Sequence, residues 1–330
     1  MGEIMIKLEN VQKEFRLRGN IIRALADVNV KINAGEFVIT GECGPPRSAD
    51  AGVIREKAKY LKGYVDSVNV TDNQTSVVRM SSLAGCLLLQ QEGIEANMQM
   101  VCRDRNRIAM QSDILGATAL GIRNMLCLSG DHQKFGDHPE SKNVFDLDSI
   151  QLIQTVKMMR DERKLISGQE MPEGTEPRLF IGAAVNPFAD PFEFRVYRLA
   201  KKIKAGVDFV QTQCIYNMDK FKEYMKQAHD MGLTEKVYIL AGLTPMKSLG
   251  MARYMQRSVP GMDVPDEIIN RLKGVEKGNQ AKEGINITLD QIQMLKEIPG
   301  VAGVHLMAIE WEERVPEIVE AAGLLPRPTV

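Results

Sequence analysis

Eight short β-rich runs recur along the chain at nearly constant spacing, and this rhythm limits the fold more than any other feature. The runs are FVITGE from Phe37, SVNVTD from Ser67, ANMQMVC from Ala96, NMLCLSG from Asn124, RLFIGAAV from Arg178, FVQTQC from Phe209, VYILAGL from Val237 and GVHLMAI from Gly303. Their starts lie 30, 29, 28, 54, 31, 28 and 66 residues apart, and five of these seven gaps have the length of one strand–helix–strand step. Eight such units predict an α/β fold, a (β/α)8 TIM barrel over residues 37–330, rather than an open doubly wound sheet. No sequence repeat accompanies the period, so a solenoid is not expected.

The intervening segments carry helical periodicity. In PFEFRVYRLAKKIKAG, Phe192, Val196, Leu199 and Ile203 form one apolar stripe, and Gly206 is the expected stop. DRNRIAMQSDILGATALG is expected to turn Ile108, Ser112, Leu115 and Ala119 inward. The two wide gaps hold irregular sequence. GDHQKFGDHPESKNVFD follows the fourth strand, at the end of a barrel where substrates are held. RSVPGMDVPDEIINRLKGVEKGN follows the seventh and predicts an extra helix around Asp266 to Lys273. Residues 1–36 fall outside the rhythm and are expected to form a short N-terminal extension.

Composition excludes several function classes. A net charge of −1 gives no electrostatic case for nucleic acid or an anionic membrane as partner. No apolar run reaches the length of a membrane helix, and the first residues lack both an apolar signal core and a myristoylation serine. Cys43, Cys86, Cys102, Cys127 and Cys214 are dispersed, with no CxxC pair, so reduced thiols and a cytoplasmic location are expected. The 19 methionines read as adaptable core filler. His132 and His138 sit beside acids without a ligand spacing, so no metal is expected, and His305 reads as a satisfied interior histidine.

TGECGPPRSAD, from Thr40, has the look of a phosphate-cradling loop. The stretch before it, IKLENVQKEFRLRGNIIRALADVNVKINAGEFV from Ile6, resembles the opening of an ABC-type ATPase domain. The loop chemistry argues against nucleotide. Pro45 and Pro46 remove two N–H donors, and Arg47 stands where the phosphate-binding lysine is needed. LSGDHQ has only a superficial likeness to the ABC signature, and no Walker B strand follows. ATP hydrolysis is not expected.

The same stretch reads better as a strand end. Val38, Thr40 and Glu42 share one face of FVITGE, which aims Glu42 into the mouth of a barrel as a candidate general acid. Ser67, Asn69 and Thr71 share a face in the second strand, as do Gln211 and Gln213 in the sixth. Buried parallel strands are usually continuously apolar, so these polar side chains need partners, and a bound polar ligand is one supplier.

Glu42 with Pro45 and Pro46, Val70-Thr71 closing the second strand, Ser129-Gly130-Asp131 closing the fourth, and Thr212-Gln213 in the sixth together resemble the methylenetetrahydrofolate reductases. The resemblance runs from about Phe37 to about Gly323, and GPPRSAD and NVTDNQT are most similar to forms used by anaerobes. It implies a flavin-bearing barrel in which hydride passes through flavin to 5,10-methylenetetrahydrofolate, giving 5-methyltetrahydrofolate. Glu42 matches the family's acid, Asp131 the carboxylate that stabilises the cationic pterin, and Gln213 the residue that hydrogen-bonds folate. The flavin contacts carry over to Thr71, Gln99, Leu128, Ser129, Gly130, Asp131, Phe145, Arg195, Arg198 and Lys202.

Several of these depart in type. Gln99 replaces a histidine, Ser129 an arginine and Phe145 a tyrosine, while Arg195 and Arg198 stand where relatives have Asp and Asn, so FAD and FMN both remain open. Leu249 stands where relatives stack a phenylalanine on folate or nicotinamide, which leaves NAD(P)H or a partner subunit with Fe–S or zinc sites as electron donor. An oligomer is expected. A barrel that binds pterin or transfers methyl groups without redox chemistry is the alternative on the same scaffold.

Overall fold

Each of the eight runs becomes a strand of one closed barrel: β1 (Val38–Cys43), β2 (Ser67–Val70), β3 (Ala96–Val101), β4 (Asn124–Leu128), β5 (Phe180–Val185), β6 (Phe209–Cys214), β7 (Tyr238–Leu243) and β8 (Val301–Leu306). The computed structural model describes residues 14–17, 20–23, 32, 35–259 and 261–327. All neighbouring strands are parallel, and β8 closes on β1 in the register His305↔Thr40. The fold is therefore the expected TIM barrel.

Local chemistry starts the helices on the shell. Asp50 caps α1 (Ala51–Leu61), Ser81 caps α2 (Ser82–Gln91) and Asn106 caps α3 (Arg107–Ala119). Asp148 and Gln151 form a capping box at α4 (Ser149–Lys157). Each such cap contributes on the order of 1 kcal/mol. α5 (Arg195–Ala205) buries Val196 and Leu199 as the stripe predicts, and also Lys202, before Gly206 ends it. Asn217 caps α6 (Met218–Asp230).

The long β7–β8 connection holds α7 (Leu249–Ser258), α8 (Asp266–Lys273) and α9 (Gln280–Lys296), and α10 (Val315–Ala321) closes the ring. The extra helix lies over the expected residues. It helps form a second apolar cluster that includes Tyr216, Met246, Met255, Ile268 and Leu272.

One helix turns a different face inward. α3 buries Met110, Ile114 and Ala117, while Ile108, Ser112, Leu115 and Ala119 are exposed. Both sets obey helical spacing, so periodicity alone does not choose between them. Met110, Ile114 and Ala117 join the main apolar core, and the pairs Arg105–Asp113 and Arg107–Asp146, at 2.9 and 2.7 Å, lie at the start of the helix.

At the barrel floor Ile32 is buried against Val38, Leu126, Phe209 and Leu240, and the Phe180 and Phe209 rings stack 5.1 Å apart. Ile32 belongs to the stretch expected to be an extension, yet it plugs the barrel. Glu14–Leu17 and Asn20–Arg23 form an antiparallel hairpin. The rest of the ABC-like opening, apart from residues 32 and 35–38, lies outside the described residues.

Candidate functional site

The barrel interior is polar where most cores are apolar. Asn69 Nδ2 donates to Gln211 Oε1 at 2.6 Å, and Asn97 Nδ2 donates to Asn69 Oδ1 at 2.7 Å. Gln211 Nε2 donates to Thr40 Oγ1 at 3.1 Å, and that hydroxyl lies 2.9 Å from His305 Nδ1. Several inward polar residues of β1, β2 and β6 thus satisfy one another, which removes most of the need for a ligand that their sequence pattern suggested. Ser67 Oγ and Thr71 Oγ1 remain buried without a partner among the described residues.

Above this layer, at the C-terminal ends of the strands, a cavity of about 340 Å³ opens. Its volume lies in the range of small-molecule sites. Glu42, Gln99, Leu128, Ser129, Arg198, Lys202 and Gln213 all line it, so residues from β1, β3, β4, α5 and β6 meet at one cavity. A larger groove of about 420 Å³ lies outside the barrel between α6 and α9, lined by Lys222, His229 and Met294 among others. It is remote from the strand ends where the polar groups meet.

Glu42 is positioned by the end of β1 and pairs in register with Asn69. Its Oε2 lies 3.7 Å from His305 Nε2, and its side chain is 15% exposed. Gln213 reaches the wall through an irregularity between β6 and β7. There Thr212 Oγ1 accepts from Gly242 N–H and donates to the Gln213 carbonyl, each at 2.8 Å, in place of regular ladder bonds.

Lys202 supplies buried charge. Its Nζ donates to the Ala184 carbonyl at 2.5 Å. Burial, reinforced by nearby Arg198, pulls its pKa down to about 8. Burial pushes the thiols of Cys43 and Cys214 up to about 12 and 11, so neither is a nucleophile near neutral pH.

Other expected residues lie off the cavity wall. Arg195 turns back to cap the Asp190 and Pro191 carbonyls at 2.8 and 3.3 Å. Thr71 is buried beyond the end of β2. Gly130 has φ +89°, and a Cβ there would press within 3.0 Å of Val101, so the glycine answers to backbone geometry and packing. The Asp131 side chain is exposed, while its carbonyl accepts from Ser76 Oγ and Arg103 Nη1, both at 3.0 Å. Phe145 is exposed at φ +40°, and Leu249 packs on the second apolar cluster.

Sequence reading missed four contributors. His305 and Met307 line the cavity and share the inward parity of β8, a signal that was present. Asn186 enters from the loop after β5, where no period operates. Arg103, buried at the end of β3, binds Ser76 Oγ, the Asn73 and Asp131 carbonyls and the Asp104 carboxylate. It clamps the β2 and β4 loops, in which Asn73, Thr75 and Ser76 all adopt positive φ.

Comparisons with known proteins agree with this architecture. The family model described as methylenetetrahydrofolate reductase matches residues 27–323. Methylenetetrahydrofolate reductase 2 of Schizosaccharomyces pombe is 25% identical over 260 residues, covering 76% of this chain and 39% of the relative. A probable NADPH-type methylenetetrahydrofolate reductase of Caenorhabditis elegans is 22% identical over 258 residues, covering 76% and 36%. The chain thus spans under two-fifths of the length of these relatives.

A solved Clostridium thermocellum protein, described as uncharacterized and binding two copies of 5-methyl-5,6,7,8-tetrahydrofolic acid, shares the fold. It superposes with a TM-score of 0.60 at 15% identity, covering 91% of this chain and 99% of that one. A segment of 71 residues is also 39% identical to an uncharacterized ABC transporter ATP-binding protein of Methanocaldococcus jannaschii, covering 21% of this chain and 30% of that protein. With a family model that spans all eight strands of the barrel, the chain belongs to the methylenetetrahydrofolate reductase family.

Proposed function

We propose that this chain reduces 5,10-methylenetetrahydrofolate to 5-methyltetrahydrofolate with the help of a bound flavin. The observation that carries the reading is Glu42: an acid on the wall of the mouth cavity, shared with Gln213 and the cationic pair Arg198 and Lys202, in a chain of this family. The donor set fits a flavin. Two cations suit a flavin phosphate, and the apolar faces of Leu128 and Met307 suit a flat ring. When bound, the flavin would supply the hydride.

The chain's own groups do the rest. Glu42 gives its proton to the leaving nitrogen of the five-membered ring, which opens to a 5-iminium cation. Gln213 hydrogen-bonds the pterin and fixes its face. Asp131, at the rim on a main chain held by Arg103, supplies negative charge to the cation. Lys202 and Arg198 would hold the cofactor's phosphate, with Gln99 and Ser129 beside it on the same wall; Thr71, Gly130, Phe145 and Arg195, off that wall, would act only from a distance. The electron donor is NAD(P)H or a partner subunit carrying Fe–S or zinc sites, and either FAD or FMN satisfies the pair of cations.

Anaerobic purification, extraction of the cofactor and a visible spectrum test the reading. A yellow protein bleached by a reductant and recoloured by methylenetetrahydrofolate is the expected result. A colourless protein that binds 5-methyltetrahydrofolate would instead be a pterin-binding or methyl-transfer barrel.

A further inference from the structure

Glu42 lines two cavities. One is the mouth cavity; the other lies behind it and has a volume of about 10 Å³, with Glu42, Lys57, Gln74, Arg79, Glu310 and Glu312 as its polar lining. That volume holds about one water molecule. Two of its lining residues carry buried atoms without a partner among the described residues: Gln74 Oε1, an acceptor, and Arg79 Nε, a donor.

Both side chains are otherwise fixed. Arg79 Nη1 donates to the Pro45 carbonyl at 2.9 Å, and Gln74 packs against Gly44. Lys57 Nζ binds Glu312 Oε1 at 2.6 Å, and the two side chains are 19% and 6% exposed, so the cavity wall carries a balanced ion pair. Glu310 is exposed at the outer lip.

We propose that this small cavity holds one ordered water, accepting from Arg79 Nε and donating to Gln74 Oε1, and that this water returns a proton to Glu42 after each turnover. The inference rests on the reductase reading above. A ligand in the mouth covers the front of Glu42, whose side chain is only 15% exposed even without one. His305 faces the same carboxylate, but its ring is held by Thr40 and Asn69 inside the closed polar layer. The small cavity, lined by the exposed Glu310, is a second way to solvent that a ligand in the mouth does not occupy.

The proton balance is closed. The Glu42 O–H bond breaks as the N–H bond forms on the leaving nitrogen. The Glu42 carboxylate then takes a proton from the water as one of that water's O–H bonds breaks. The water regains a proton from solvent at the Glu310 lip in the same event, so one solvent proton enters per turnover and no oxidation occurs.

The test uses the flavin-loaded enzyme with Gln74→Met and Arg79→Met. Each is reduced with dithionite and mixed with methylenetetrahydrofolate for a single turnover, then followed in the steady state with a reduced viologen dye, in H₂O and D₂O. A single turnover uses only the one proton that Glu42 gives under that reading and needs no return, so its rate is expected to stay within about twofold of wild type. The steady-state kcat is expected to fall about tenfold, with KM for folate unchanged and a larger solvent isotope effect, a part of the usual general-acid contribution. A fall in both rates together, or in neither, overturns the proposal.

A wild-type enzyme whose reduced flavin is never reoxidised by methylenetetrahydrofolate would sink the reductase reading itself. Should the variants not fold, a crystal structure of the wild type decides. A water within hydrogen-bond reach of Arg79 Nε, Gln74 Oε1 and the Glu42 carboxylate supports the route, and density for none overturns it.

Discussion

The Glu42 carboxylate meets His305 Nε2 at 3.7 Å across β1 and β8, the two strands whose pairing closes the barrel. His305 pairs in register with Thr40, so Glu42 stands two residues further along, just above the closed polar layer. The acid thus sits at the boundary between a core whose hydrogen bonds are largely internal and a cavity open to ligand.

Glu42→Gln keeps the size of the side chain and removes the ionisable proton. Flavin binding and flavin reduction are expected to persist, while reoxidation by methylenetetrahydrofolate falls by about 10²- to 10⁴-fold. Stopped-flow measurement of the two half-reactions separates these outcomes, and an equal loss in both would contradict the role assigned to the acid.

Lys202 makes stability depend on pH in a definite direction. Its folded pKa, about 8, lies below the ordinary lysine value of 10.5 because burial, and secondly Arg198, disfavour its charge. Below about 8 both folded and unfolded chains carry the proton, and the buried charge exerts its full cost. Between about 8 and 10.5 the unfolded chain binds more protons, so stability rises with pH by roughly 3 kcal/mol at most. The buried thiols, held protonated in the folded chain, act in the opposite direction above about pH 9, so the rise is read as the difference in urea unfolding between wild type and Lys202→Met, which is expected to move by that amount in favour of wild type from pH 7 to pH 10. Flavin affinity should move the opposite way, weakening as Lys202 loses its charge above pH 8.

Asn69→Leu tests the polar layer. Asn69 bonds Gln211 and Asn97, and all three side chains are buried. Each buried polar group left unpaired costs about 1–3 kcal/mol, so a loss of roughly 3 kcal/mol or more is expected in urea unfolding. A near-neutral result would mean that water readily re-solvates this layer.

Gly136 tests the docking of the β4 loop. A Cβ there would lie 1.8 Å from the Ser76 carbonyl oxygen, so Gly136→Ala must push the loop away from the β2 loop. Arg103→Met removes the clamp on the same pair of loops. Both are expected to weaken folate binding about tenfold or more, because small displacements of positioning groups are costly. Isothermal titration with 5-methyltetrahydrofolate measures the effect, and unchanged affinity in both would remove these loops from the site.

How much of this was legible follows from the range of each signal. The number of strands, their approximate limits and the extra helix at Asp266–Lys273 are written in local patterns, because strand and helix periods repeat within a few residues. The caps Asp50, Asn106 and Asp148 act within three residues of themselves. Glu42 and Gln213 were findable because alternation along a strand fixes which side chains face inward.

Tertiary structure alone decided the rest. Which apolar stripe α3 buries depended on the face that met the main core, where Met110, Ile114 and Ala117 pack. That Asp131 presents its carbonyl inward while its side chain stays exposed depended on Arg103 from another strand. The meeting of Glu42 with His305 required the last strand to close on the first. A linear pattern records the face a residue takes on its own element, whereas the neighbour it meets is set by barrel closure, which joins residues hundreds of positions apart.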